Sequence, residues 1–177
     1  MTITIYAASS PYVSSIYKQA AKDLGQLIAE NGITCINGAG KSGLMAQVTD
    51  AVLEHGGKVI GILPQFMADE FGGHPSLTER IVTPDMHTRK QLMAQRSDAC
   101  IALPGGVGTL EELLEIITWK QLGLYAKPVV ILNTNGYFDD LLRMLDKVQQ
   151  EHFMHHSHSA LWTVAETPEE AFKQTGL

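Results

Sequence analysis

Short apolar runs alternate along the chain with longer stretches whose apolar residues recur every three or four positions. The short runs are typical of buried strands, and the longer period is typical of amphipathic helices. The pattern predicts strands at residues 2–8, 33–37, 58–63, 79–83, 98–103, 128–132 and 161–164. It predicts helices at 13–30, 43–55, 86–96, 109–122, 138–150 and 168–174. Residues 65–78 show no clear period and contain Gly72, Gly73 and Pro75. We expect a mobile loop or lid there.

Strands that alternate with helices in this way indicate a parallel sheet covered on both faces. We therefore predict an α/β protein with a three-layer Rossmann-like fold. The 177 residues fit one domain that covers residues 1–177. Ligands of such folds bind beyond the carboxyl ends of the strands. Two predicted strand ends, at 37–43 and 104–109, run into glycine-rich turns that open helices.

The chain is acidic, with 13 Lys and Arg against 19 Asp and Glu and a formal net charge of −6. This balance argues against polymeric nucleic acid as a partner, although not against a small phosphate ligand. Cys35 and Cys100 lie in predicted strands, so we interpret them as core residues rather than as a disulfide. No apolar run reaches the roughly 18 residues that span a membrane, and the N-terminus lacks the features of a signal peptide. We expect a cytoplasmic protein.

The strongest motif is Leu-Pro-Gly-Gly-Val-Gly-Thr-Leu-Glu-Glu at residues 103–112. Its three glycines, Gly105, Gly106 and Gly108, let the backbone turn sharply and approach a ligand. A helix follows, and its first N–H groups have no intrahelical partner, so the turn can bind phosphate. Thr109 is a candidate helix cap. A tight strand–helix turn without a ligand is the alternative.

Two charged pairs surround this motif. Glu111 and Glu112 point roughly 100° apart around a helix, so only one of them can face the glycine loop. Arg89 and Lys90 begin a helix in the segment Met-His-Thr-Arg-Lys-Gln-Leu-Met at 86–93. Because cations are unfavourable at a helix N-terminus, this pair favours an anion site, with a solvated charge pair as the alternative.

Two further patterns are weaker. Gly38, Gly40 and Gly43 match the spacing of a dinucleotide-binding glycine motif, but they follow the second strand, and no acidic residue ends a strand about 20 positions later. A histidine-rich stretch could hold a metal ion, but spacing alone rarely makes such a site, and we predict none there. Its histidines are His152, His155, His156 and His158.

Taken together, these segments resemble the Lonely Guy family, long described as "lysine decarboxylase-like". The family hallmark P-G-G-x-G-T-x-x-E is matched in full at 104–112, and Met86-His-Thr-Arg-Lys90 also resembles a family segment. The likeness continues through 113–123 and covers the chain from about residue 3 to 164. The glycine run at 37–42 and the end of the first strand, Ala7-Ala-Ser9-Ser10, depart from the usual family pattern.

The resemblance implies a phosphoribohydrolase that splits the N-glycosidic bond of a nucleoside 5′-monophosphate into free base and ribose 5-phosphate. The substrate would be AMP or a cytokinin riboside monophosphate. No metal and no organic cofactor is expected. The resemblance also implies a homodimer or a larger homo-oligomer, with the site near the subunit interface.

The resemblance also implies roles for particular residues. Departure of the base leaves positive charge on the ribose, which a carboxylate stabilises, and this role falls to Glu112. Arg89 would hold the substrate or the departing base, assisted by Lys90. The other expected substrate contacts are Gly105, Gly106, Gly108 and Thr109 at the 5′-phosphate, Glu111 at the ribose, Ser9 and Gly40 on the opposite wall, and Glu70 near the base.

Two other functions compete with hydrolysis. The old family label would require a lysine that holds pyridoxal phosphate as a Schiff base. Alternatively, the fold could bind a nucleotide as a sensor or carrier, without turnover. The paired carboxylates beside the glycine loop argue against pure phosphate binding, which needs no acid there.

Overall fold

A computed structural model of the protein describes residues 1–155 and 160–177. The strands within these residues are β1 (Thr2–Tyr6), β2 (Thr34–Asn37), β3 (Lys58–Pro64), β4 (Glu79–Thr83), β5 (Ala99–Ala102), β6 (Val129–Leu132) and β7 (Thr163–Ala165). The helices are α1 (Ser15–Glu30), α2 (Gly43–Glu54), α3 (Gln65–Phe71), α4 (Met86–Arg96), α5 (Val107–Gln121), α6 (Asp139–Gln150) and α7 (Pro168–Gln174). A short 3₁₀ turn, Thr134–Gly136, precedes α6.

The strands pair in parallel to form one sheet in the order β4-β3-β2-β1-β5-β6-β7. Side chains alternate between its two faces. Ile3 and Ile5 of β1 lie in the core with α1, α2 and α7, whereas Tyr6 lies in the core with α4 and α5. Helices therefore cover both faces of the sheet, which confirms the predicted three-layer α/β fold.

The order in which strands are added to the sheet changes side between β1 and β5. Strands β2, β3 and β4 extend from one side of β1, and β5, β6 and β7 extend from the other. The loops that leave β1 and β5 therefore diverge and open a crevice at the carboxyl ends of these two strands. Helix α4 makes the return crossing from β4 to β5, which carries its side chains past the ends of β3 and β1.

The prediction of a loop or lid over residues 65–78 missed a helix in the first half of that range, because Gln65–Phe71 forms α3. Gly72 ends this helix in the left-handed conformation with φ +75°, as a glycine C-cap does. No residue of α3 is buried. The helix therefore has no apolar stripe facing a core, and the apolar period that marks the other helices is missing from its sequence.

Other boundaries differ by a few residues. Helix α5 begins at Val107 rather than Thr109, with Gly106 at the N-cap position. Thr109 is consequently the third helical residue, and the interpretation of Thr109 as the cap is wrong. Glycine is an acceptable N-cap residue, although it carries no capping side chain. The search for a capping side chain therefore predicted the start of α5 two residues too late.

The structure also bears on the predictions for the cysteines and for membrane spans. Cys35 and Cys100 are buried and free, as predicted. Every helix in the described residues is too short or too polar to cross a membrane.

Of the histidine-rich stretch, His156 and His158 lie outside the described residues. The described part of the chain contains no group of three or more His, Cys, Asp and Glu side chains arranged to hold a metal ion.

Candidate active site

A cleft of about 430 Å³ opens in the crevice between the ends of β1 and β5. One wall is the glycine loop and the first turn of α5, and the other is formed by the loops that follow β1 and β2. The floor carries one side chain from α4 and one from α5. The lining residues are Ala7, Ala8, Ser9, Ser10, Gly38, Gly40, Met45, Met67, Met86, Arg89, Gly106, Val107, Gly108, Thr109 and Glu112.

The floor of the cleft is a buried ion pair between Arg89 and Glu112. Nη1 of Arg89 lies 3.0 Å from Oε1 of Glu112, and the two side chains are only 6% and 9% exposed. Within the described lining, these are the only charged side chains. The cleft therefore has one guanidinium and one carboxylate, placed side by side and largely removed from water.

Arg89 is fixed by three contacts along its guanidinium. Its Nε donates a hydrogen bond of 3.0 Å to the carbonyl oxygen of Ile62 in β3, and its Nη1 also contacts the sulfur of Met86. Its Nη2 lies against Gly38, where a Cβ atom would come within 2.2 Å. Nη2 has no acceptor within the described residues, so it is available to a ligand.

Burial raises the pKa of the Glu112 carboxyl above its ordinary value, and the Arg89 guanidinium opposes part of that rise. Tyr6, at the end of β1, lies close enough for the two groups to interact. Burial raises the pKa of the Tyr6 phenol, and repulsion from the ionised forms of Cys100 and Glu112 raises it further. The site thus holds a carboxylate in a medium of low polarity, where it acts strongly on any nearby positive charge.

The glycine wall presents unpaired backbone donors. Within the described residues, the amides of Val107, Gly108 and Thr109 have no hydrogen-bond acceptor, and no side chain caps the helix. Gly105 is required by packing, because a Cβ there would meet the Thr109 side chain at 2.1 Å. A helix start of this kind attracts an anion through its N–H groups and its dipole.

The opposite wall depends on close contact between two loops. Gly43 has φ +68°, and a Cβ there would come within 2.7 Å of the backbone of Ala8, Ser9 and Ser10. The Ser42 hydroxyl donates a hydrogen bond of 2.6 Å to the carbonyl oxygen of Ser9. The third glycine of the 38–43 motif therefore joins the loops after β1 and β2.

Lys90 faces away from the cleft. It forms ion pairs with Glu111 and, at 3.0 Å, with Glu115, both on α5. Burial lowers the pKa of Lys90, but its hydrogen bonds to these two carboxylates outweigh that effect and raise it overall. Glu111 and Glu112 thus separate as the helical geometry predicts, with Glu112 in the cleft and Glu111 joined to α4 from outside.

The remaining predicted site residues divide between the cleft and its surroundings. Ser9, Gly40, Gly106, Gly108 and Thr109 line the cleft. Gly105 is buried in the loop and does not line the cleft, and Glu70 is exposed on α3, one turn after the lining residue Met67, without lining the cleft itself.

Sequence reasoning missed several lining residues. Gly38 was recognised only as part of a weak glycine motif, although it makes room for Arg89. Met45, Met67 and Met86 come from three different helices and meet at one cleft. The position of Met86 one turn before Arg89 was a usable signal, because residues three apart share a helix face. No local signal links Met45 or Met67 to the site.

Comparison of the sequence with known proteins identifies the family of this chain. The sequence model of a family described as "Possible lysine decarboxylase" matches residues 45–175. A relative from Arabidopsis thaliana, named cytokinin riboside 5′-monophosphate phosphoribohydrolase LOG3, is 44% identical over 173 residues, which cover 97% of this chain and 80% of the relative. A bacterial protein of the same enzyme name, from Rhodococcoides fascians, is 42% identical over 154 residues, with coverage of 86% and 78%.

The chain belongs to the Lonely Guy family. Solved structures agree with this at the level of the fold. A crystal structure from the Northeast Structural Genomics Consortium is 27% identical, with a TM-score of 0.72 over 97% of this chain and 96% of the other. The molybdenum cofactor carrier protein of Chlamydomonas reinhardtii has the same TM-score of 0.72 at 24% identity, covering 97% of this chain and 93% of its own, and shares the fold.

The residues of the Lonely Guy hallmark form one wall and part of the floor of this cleft. Its glycines form the wall with free amides, and its last residue, Glu112, forms half of the buried ion pair. The other half, Arg89, comes from the second family segment. The two segments are far apart in the sequence, and the return crossing of α4 brings them together.

We expect that Gly38→Ala removes most of the activity with only a moderate loss of stability. The added Cβ would meet Nη2 of Arg89 at 2.2 Å, so the guanidinium must move away from its position over the cleft. A displacement of about 1 Å at a reacting group can cost about 10²-fold in rate. Steady-state kinetics and thermal unfolding of the purified variant measure the two effects.

Gly25→Ala is the matched control, because its Cβ would collide with Val48 and Ala51 between α1 and α2, far from the cleft. This control should lose about 1–3 kcal/mol of stability through overpacking and retain kcat below its melting temperature. A Gly38→Ala variant with the wild-type kcat/KM would contradict the assigned role of Gly38.

Proposed function

We propose that this protein is a phosphoribohydrolase that cleaves the N-glycosidic bond of a nucleoside 5′-monophosphate to free base and ribose 5-phosphate. The observation that carries the proposal is the buried Glu112–Arg89 pair beside a glycine wall with free amides. The curated relatives support it, because they are named phosphoribohydrolases of cytokinin riboside 5′-monophosphate. AMP or a cytokinin riboside monophosphate is the expected substrate.

Each wall of the cleft then has a task. The amides of residues 107–109 bind the 5′-phosphate at the start of α5. That contact places the ribose above Glu112, whose carboxylate stabilises the positive charge that builds on the sugar as its bond to the base breaks. Nη2 of Arg89 donates to the departing base, which leaves with the bonding electron pair. Water then adds to C1′ of the ribose, and the proton that it loses neutralises the departed base.

The old family description as a lysine decarboxylase does not fit the lysines of this structure. A Schiff-base lysine needs a neutral amine at the bottom of a pocket. Lys90 is charged and held by two carboxylates, and Lys41, on the rim of a smaller cavity beside the cleft, is exposed. No lysine of the chain lines the cleft itself, as all nine fall within the described residues.

The proposal predicts that the purified protein releases adenine and ribose 5-phosphate from AMP, and that Glu112→Gln abolishes this release. Loss of a preorganised charge at the reacting centre typically costs about 10²–10³-fold in kcat. The amide retains the shape of the carboxyl, so nucleotide binding should persist. Arg89→Ala should weaken both, since it removes a ligand donor and leaves Glu112 buried without its partner.

Glu115→Gln provides the matched control on the same helix, because Glu115 pairs with Lys90 outside the cleft. Its kcat should stay within twofold of the wild-type value. Chromatography of the reaction mixture and calorimetric binding of AMP separate turnover from affinity. AMP binding without release of any base would favour a sensor or carrier and refute the hydrolase.

The raised pKa of Glu112 predicts an acid limit to turnover at an unusually high pH. The carboxylate is the form that stabilises a cation. The value of kcat should therefore be highest at high pH and fall as the pH drops through the raised pKa of Glu112. The fall should therefore begin above the usual glutamate pKa of about 4.3. The measurement is kcat at saturating AMP, because titration of the free nucleotide phosphate enters kcat/KM. A kcat that stays constant down to that usual value would contradict the role of Glu112.

We also infer that the chain acts as a homodimer or larger homo-oligomer. An apolar groove of about 500 Å³ runs between α4 and the end of α5, and Trp119, Leu124 and Tyr125 line it. Leu124 in the groove is 71% exposed, and Leu122, two residues before it, is 65% exposed, which disfavours an isolated chain in water. The groove adjoins the cleft, because α4 and α5 contribute to both, so a second copy seated there would border the site. A cytoplasmic location stays a prediction.

Light scattering after gel filtration tests this association. The wild-type protein should have at least twice the 19.3 kDa mass of one chain. Leu124→Asp should lower that mass, since it places a charge in the apolar contact. Ile16→Asp, on the exposed side of α1 across the sheet, is the control and should leave the mass unchanged. A monomeric wild-type protein would contradict the inference.

A further inference from the structure

The glycine loop of the cleft is held from behind by a residue outside the family hallmark. The Tyr137 hydroxyl donates a hydrogen bond of 2.6 Å to the carbonyl oxygen of Gly105. Tyr137 follows β6, the neighbour of β5 in the sheet, and it does not line the cleft. Gly105 likewise lies behind the lining, whereas Gly106 is part of it. The loop therefore lies between the tyrosine and the cleft.

The position of Tyr137 is itself well determined. Its ring packs edge-on against the Tyr17 ring of α1, with centroids 5.7 Å apart and planes at 76°. It makes a second edge-on contact with the adjacent Phe138 ring, at 5.0 Å and 87°. Phe138 is fully buried in the core beneath α5. Tyr137 itself is 43% exposed, so its phenol reaches the loop from a half-exposed ring that two aromatic contacts support.

The backbone before Tyr137 is equally constrained. Asn133 directly follows β6, and its amide group donates to Asp139 at 2.8 Å while its oxygen accepts from the Phe138 N–H at 2.7 Å. The turn between them has two residues with positive φ, Asn135 at +54° and Gly136 at +67°. This closed network of hydrogen bonds fixes the direction in which the chain leaves β6 and delivers the tyrosine.

The hydrogen bond has a direct consequence for the cleft. A peptide unit is planar and trans, so the carbonyl of Gly105 and the N–H of Gly106 point in opposite directions. With the carbonyl held toward Tyr137, the N–H of Gly106 points away from the tyrosine, toward the side on which Gly106 lines the cleft. Glycine on both sides of the unit makes rotation of the peptide easy. The hydroxyl is the group that selects one orientation.

We propose that Tyr137 is a positioning residue that orients the Gly105–Gly106 peptide so that its N–H joins the donors for the substrate phosphate. This inference rests on the proposed function, because it assigns the glycine wall to the 5′-phosphate. The residue touches neither sugar nor base. Its loss should therefore affect affinity for ligands that carry a phosphate and spare those that lack one.

The test is Tyr137→Phe, which removes the hydroxyl and keeps the aromatic contacts. The net value of one hydrogen bond, about 0.5–1.5 kcal/mol, corresponds to a rise of about 2–13-fold in the KM for AMP. Because phosphate binding persists from ground state to transition state, kcat should stay within twofold. The inhibition constant of ribose 5-phosphate should rise by the same factor as KM, and that of adenosine should not change.

Tyr17→Phe is the matched control, because it removes a hydroxyl from the ring that packs against Tyr137 without a contact to the loop. It should leave all three constants unchanged. Wild-type affinity for ribose 5-phosphate in Tyr137→Phe would overturn the proposal. An equal weakening of ribose 5-phosphate and adenosine, with a lower melting temperature, would also overturn it by indicating a purely structural role.

Failure of the proposed function gives a different result. If the wild-type protein binds ribose 5-phosphate but releases no base from AMP, hydrolysis is refuted, and the selective loss of ribose 5-phosphate binding in Tyr137→Phe still decides the positioning role. If the wild-type protein binds neither ribose 5-phosphate nor inorganic phosphate in calorimetry, the phosphate assignment and the role of Tyr137 both fail.

Discussion

The site depends on a buried ion pair that neither partner could sustain alone. Moving a carboxylate or a guanidinium out of water is costly, and a buried pair recovers that cost only with good geometry and further hydrogen bonds. Arg89 and Glu112 meet at 3.0 Å, and Arg89 is additionally anchored on the carbonyl of Ile62. The Arg89 guanidinium opposes the rise that burial causes in the pKa of the Glu112 carboxyl, and so favours the carboxylate form within a pocket of low polarity. A carboxylate held in this way is ready to oppose a positive charge on a sugar.

The topology of the sheet determines where this pair can form. Arg89 comes from the helix that crosses back over the sheet, and Glu112 comes from the helix that follows β5. The crossing places both next to the reversal between β1 and β5, where the loops diverge and leave space for a ligand. Around them, the close approaches at Gly38, Gly43 and Gly105 leave room only for glycine. The glycines that look like phosphate motifs in the sequence thus serve two purposes, ligand access at the wall and side-chain clearance behind it.

Much of this arrangement follows from the sequence, and the exceptions share a cause. Apolar periodicity predicts every strand and the three layers, because these elements pack fully or partly buried apolar side chains against the core. Helical geometry separates Glu111 from Glu112 before any coordinates are known. By contrast, α3 buries nothing and leaves no periodic signal. Two further features are contacts between segments that are distant in the sequence. Gly38 leaves room for the Arg89 guanidinium, and the Tyr137 hydroxyl donates a hydrogen bond to the Gly105 carbonyl. No local pattern encodes such contacts, although family motifs mark one partner of each.

For the proposed function, an acidic chain with a net charge of −6 must still attract a phosphate group, and its side chains offer little help. Glu112 offsets the charge of Arg89, and Glu111 and Glu115 offset that of Lys90. In the proposed function, the remaining attraction comes from backbone amides and the dipole at the start of α5, which are fixed in direction and cost no side-chain entropy when a ligand binds. Affinity for the phosphate then depends on the orientation of a few peptide units rather than on the number of cations. That dependence is why a tyrosine behind the loop, with no contact to the ligand, can matter to binding.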